Sequence, residues 1–380
     1  LMFSTGITTC GGSGSISIGT GSACNGDGGD IMIKVGDGNT LDGGHVFLFA
    51  GKTVATADST GGSISIRSGY SLLRSSGTIN IRTLNAGTNG VSGELMFSTG
   101  TTSCGGSGSI SIGTGTASEG DGGDITIKVG DGNTLDGGHI SVFAGKTDAK
   151  GDTGATGGSI SIRSGFSTES SSGSIIIRTL NAGAKGVSGE LMFSTGITTC
   201  GASGSISIGT GTAAIGEGGD VFVSVGDSNH QPGGMMSLKA GTTSAGANGG
   251  EILIESGKTT GATGTGGVMN LNAGQSENVV GGYFSVSAGQ GGTIGGKIKL
   301  VAGTGDANTG GMISLLSGVG TATTSGQIQI RSPDAGTKGV SGALVFSSGI
   351  TTCGASGSIS IGTGTACIGD GGDITIKVGD

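Results

Sequence analysis

Tryptophan is absent from this sequence, proline occurs twice in 380 residues, and charged side chains make up only 12%. The lack of proline excludes a collagen triple helix, which also needs Gly at every third position. Sparse charge, with Ile and Val recurring at regular intervals, argues against intrinsic disorder. There is no basic excess either: the net charge of −8 excludes nucleic acid as an electrostatic partner. No apolar run approaches the ~18 residues of a membrane span, so none is expected. No Asn-X-Ser/Thr sequon is present. No signal peptide is visible, but the chain opens at Leu1 inside a repeat, so this says nothing about export.

What the sequence has is glycine, 91 residues of it, in a strict order. The segment LMFSTGITTCGGSGSISIGTG opens at Leu1 and returns in close copies at Leu95, Leu191 and Leu344. Within these modules a shorter unit recurs, G-x-I-x-I-x-[small]-G. Taking the first apolar residue of each unit as its anchor (offset 0), the first module reads Leu1, Ile16, Ile31, Val46, Ile64 and Ile79. Steps between anchors are mostly 15 residues, lengthening to 18 before Ile64 and 20 before Ile160. The modules are 1–94 and 95–190 with 6 units each, 191–343 with 10, and a partial 344–380 with 3. Those extra residues are expected to bulge from the return segment.

Offsets 0, +2 and +4 are apolar or small while +1 and +3 vary, the alternation of a half-buried strand. Gly stands at −2 of every anchor after the first and at +5 of nearly all; the exceptions at +5 include Leu84, Leu180 and Pro333. Glycines there would permit corners with positive φ. An antiparallel sandwich would show variable spacing. A spacing locked near fifteen predicts instead an all-β fold, a single-stack parallel β-solenoid of about 25 coils forming one continuous rod.

Stacked coils would align equal offsets into columns. At +3 stand Lys34, Phe49, Arg67 and Arg82, then Lys128, Phe143, Arg163 and Arg178, a basic column that a polysaccharide or a neighbouring rod could use. Asp37 and Lys52, like Asp131 and Lys146, are expected to pair between coils. Asp27 beside Asp42, and Asp121 beside Asp136, form weak calcium candidates, hard oxygen ligands being suited to that ion. The outward Met2, Met32, Phe47 and Phe49 suggest a covered surface. Cys10 and Cys24 fall on adjacent coils, as do Cys353 and Cys367. A coil spacing of ~4.8 Å suits a disulfide, so both pairs are expected to be bridged, in an oxidising compartment. Cys104 and Cys200 are left free or bonded to another chain.

Catalytic chemistry has no visible support. His45, His139 and His230 lack partners at metal-ligand spacing, and no nucleophile elbow stands out. β-Helical polysaccharide lyases interrupt their wider coils with a carboxylate cluster, which is missing here. Ice binding would need ranks of Thr at +1 and +3, where Ser, Met, Phe, Lys and Arg occur instead.

The units GGSISIRSG, GGDITIKVG and GGKIKLVAG resemble the glycine-rich β-solenoid repeats of secreted fibrous proteins, including algal cell-surface proteins and repeat adhesins. The resemblance implies an extracellular fibre or surface coat and carries no catalytic residues. The expected function is therefore an extracellular structural protein, a filament or fibre-shaft subunit with no cofactor and with further copies of itself as partner. The alternative is an adhesin stalk or carbohydrate-binding rod; a calcium-dependent surface layer and ice binding rank lower. Repeat arrays need polar caps and neither end carries one, so the chain is expected to continue or to be capped by other copies.

Overall fold

The computed structural model describes residues 2–54, 59–148, 155–244, 246–261 and 263–378. Among the described residues there is no α-helix and no β-strand. The all-β parallel solenoid expected from the repeat is therefore overturned: no ladder joins one unit to the next. The chain divides into two units, Leu1–Leu191 and Met192–Asp380.

The fifteen-residue period nevertheless has a structural counterpart. In the first unit the N–H of Gly44, Gly62, Gly77, Gly138, Gly158 and Gly173 donates to the carbonyl of Gly36, Gly51, Gly69, Gly130, Gly145 and Gly165, at 2.8–3.2 Å. In the second, Gly250, Gly267, Gly282, Gly296, Gly311 and Gly326 donate in the same way to Gly241, Gly257, Gly274, Gly289, Gly303 and Gly318, at 2.8–2.9 Å. Each bond runs from the −2 glycine of one anchor to the +5 glycine of the anchor before it. The residues between them become a pinched loop, and the apolar residues lie on open segments between pinches.

In the second repeat of each of the first three modules a closure by the +4 Thr replaces the first. The Thr20, Thr114 and Thr210 hydroxyls donate to the carbonyls of Gly29, Gly123 and Gly219 at 2.7–2.9 Å. Where Leu84, Leu180 or Pro333 displaces the +5 glycine, a short turn forms instead, Gly90 to Gly87, Gly186 to Gly183 and Gly339 to Gly336. The longer loops before Ile64 and Ile160 still close, at Gly62–Gly51 and Gly158–Gly145. Residues 55–58 and 149–154 of those loops, where the extra length was expected to bulge, lie outside the described residues.

The boundary glycines also serve a purpose other than the expected one. None of the described ones has positive φ; several of the −2 glycines are needed for close approach instead, whereas a Cβ at the +5 glycines would meet nothing within 4 Å. A Cβ on Gly44 would stand 2.8 Å from Val35 Cγ1, one on Gly62 3.0 Å from Gly51 N, and ones on Gly138 and Gly234 would collide with Val129 and Val225. Positive φ occurs instead at +10, in Gly11, Gly26, Gly105, Gly120, Gly201, Gly216, Gly354 and Gly369, and at Gly264. Those eight belong to the first two repeats of every module, at the tip of the loop.

No described residue is buried. The best-covered positions are mostly +4 residues pressed against the −2 glycines: Val129, Ala240, Ala302, Ser317 and Ser332 are half-buried, as is Gly320 at +7. The apolar alternation persists as a gradient, with Ile79 49% exposed at an anchor and Met32 87% exposed at +1. A solenoid of this composition gains little from each coil, because its ladder of Ile, Val, Ala and Ser is thin. Nearly a quarter of the residues are Gly, which lose the most conformational freedom on ordering. The period dictates where the chain turns; it does not supply the burial that would hold neighbouring turns in register.

Candidate functional site

The loop tips are the most regular chemical feature. Offset +7 holds Thr, Ser, Gly or Ala throughout, and its hydroxyl ties the tip together. Thr8, Thr198 and Thr351 donate to the carbonyls of Gly11, Gly201 and Gly354 at 2.9–3.2 Å, and Thr102 donates to the Cys104 carbonyl at 2.9 Å, with that of Gly105 at 3.4 Å. Ser71, Ser167, Ser228 and Ser276 instead accept from the N–H of Arg74, Ser170, Gln231 and Val279 at 2.9–3.1 Å. Such side-chain caps are ordinary turn chemistry for Ser and Thr. The sequence signal was present, a small residue at one constant offset, but only the geometry assigns it a role.

Four of these Thr brackets enclose a cysteine, Cys10, Cys104, Cys200 and Cys353, immediately before the +10 glycine. All six cysteines are exposed and free. The expected Cys10–Cys24 and Cys353–Cys367 disulfides are absent, because their pairing depended on a ladder between adjacent coils and no ladder exists. The expectation of an oxidising compartment loses that support with them.

The charged columns are likewise not assembled by stacking. Lys34, Arg67, Arg82, Lys128, Arg163 and Arg178 are exposed on separate segments. The expected Asp37–Lys52 and Asp131–Lys146 pairs are not formed. Lys34 instead meets Asp37 at 3.9 Å and Lys146 meets Asp148 at 3.0 Å, each within one repeat. These contacts are fully open to solvent and contribute little. Asp27, Asp42, Asp121 and Asp136 are exposed. Among the described residues no three His, Cys, Asp or Glu side chains gather as a metal site would require.

Two surface features remain. Arg82, Thr83, Leu84 and Asn85 line a cavity of about 440 Å³, a bend made by four consecutive residues where Leu84 takes the +5 place. On the segment after Gly44, His45, Phe47 and Phe49 form a row of rings, with centroids 5.7 Å and then 5.9 Å apart. The Phe47 and Phe49 planes differ by 13°, and both rings are exposed. The module-two counterparts are His139, Ser141 and Phe143, so only the first module has the complete row. No described helix is long and apolar enough to cross a membrane.

No protein family, curated protein or solved structure matches this chain.

Proposed function

We propose that this chain is an extracellular structural protein, a fibre or filament subunit whose packing is completed by further copies of itself. The observation that carries the reading is its uncovered surface. The accessible area is 38347 Å², whereas a folded monomer of 35.9 kDa exposes only ~13,000 Å². The difference exceeds by an order of magnitude the ~1,600 Å² of an ordinary stable interface. Much of it is Ile, Val, Leu, Met and Phe recurring at constant offsets.

Repetition gives that surface a direction. A contact made by one module can be repeated by the next copy, and a head-to-tail contact that does not close on itself generates an open filament. Among the described residues no backbone–backbone hydrogen bond falls on offsets 0 to +3, which leaves those groups available to another copy. The extracellular setting rests on the resemblance of the repeats to secreted fibrous proteins. No catalytic role forms part of this reading. Imaging the purified protein over a range of concentrations tests it: uniform filaments are expected. Retention on insoluble polysaccharide by a chain that stays monomeric would favour the adhesin reading, for which the exposed His45–Phe47–Phe49 row is the best-placed contact.

A further inference from the structure

Three Asn-Gly pairs occur in the sequence: Asn25–Gly26, Asn89–Gly90 and Asn248–Gly249. Glycine after asparagine offers an unhindered backbone nitrogen, so on sequence alone the three are equally suited to attack on their own side chain. The structure separates them. The Gly90 N–H donates to Gly87 O at 3.2 Å, within a tight turn. Gly249 adjoins Gly250, whose N–H is tied to Gly241 O at 2.9 Å. Gly26 lies at an exposed loop tip with φ of 116°, and nothing would meet a Cβ placed on it within 4 Å. No hydrogen bond holds its N–H.

We propose that Asn25 is a site of spontaneous covalent modification, the fastest-converting asparagine of this chain. The Gly26 backbone nitrogen gives up its proton and attacks Asn25 Cγ. The new C–N bond closes a succinimide ring, and the Cγ–NH2 bond breaks with loss of ammonia. Water then opens the ring at either carbonyl, giving aspartate or isoaspartate. No oxidant, reductant or other co-reactant is required. At Asn89 the same attack must first release the Gly90 N–H from Gly87. At Asn248 the neighbouring closure restricts the backbone rotation that ring formation needs.

The product adds a negative charge to a tip that already carries Asp27, and isoaspartate also lengthens the backbone by one atom. The other modules have Glu119, Ile215 and Ile368 at the position of Asn25, so the change would be confined to the first. It is independent of the function proposed above.

The test is timed incubation of the full chain at mildly alkaline pH, followed by peptide mapping for the mass gain and for isoaspartate. A parallel sample in denaturant gives the rates without structure. In the native chain Asn25 is expected to convert about threefold or more faster than Asn89, the factor by which an ordinary hydrogen bond shifts an equilibrium. In denaturant the rates should converge. Conversion of Asn89 or Asn248 as fast as Asn25 in the native chain would overturn the proposal. So would an Asn25 that stays intact while the denatured sample converts.

Discussion

At the residue scale, glycine serves two separate purposes that composition cannot tell apart. The −2 glycines admit the backbone of the preceding repeat, whereas the +10 glycines hold a left-handed turn that side chains rarely adopt. Substitution should separate the two members of one closure. Gly44→Ala puts a methyl group against Val35 and should break the Gly44–Gly36 bond, at a cost of about 1 kcal/mol. Gly36→Ala meets nothing within 4 Å and should leave it intact. Amide exchange at position 44 reads the difference; equal exchange in both variants would remove the close-approach explanation. Cysteine provides an independent check. Thiol titration of the unreduced native chain should return all six groups, and a count of four or two would restore the intramolecular bridges.

At the element scale, the unit of structure is the pinched loop rather than the strand. In the twelve repeats closed by a glycine–glycine bond the donor falls on one offset, so amide exchange along those repeats should be periodic. Protected amides are expected at the −2 glycines, with rapid exchange at offsets 0 to +3. Continuous protection across the Ile-x-Ile segments of a dilute sample would instead require the ladder that this structure lacks. The sequence made the fifteen-residue spacing, the modules and the boundary glycines plainly legible, since all three are written directly as residue identity. Two things were not. Val35 against Gly44 is a distance, and only coordinates reveal it. The alternation in Ile31, Ile33 and Val35 marks which side chains share a face, but says nothing about whether enough area is buried to hold that face against another. The same gap explains the cysteines: Cys10 and Cys24 match in offset, and offset becomes proximity only if neighbouring repeats are stacked.

At the scale of the whole molecule, the governing fact is that one copy leaves its apolar residues in water. Ile7 and Ile350 are fully exposed, and even the anchors are covered only by about half. Burial contributes roughly 25 cal/mol per Å² of apolar surface, so association that covers even part of these segments has a large driving force. A net charge of −8 on 380 residues opposes it weakly, and added salt, which screens such repulsion, should promote it. The most direct test of this account is sedimentation of the purified chain across a wide concentration range, with electron microscopy of each fraction. The account predicts concentration-dependent growth into filaments of uniform width. A single monomeric species persisting at the highest concentration, with its surface still uncovered, would contradict it.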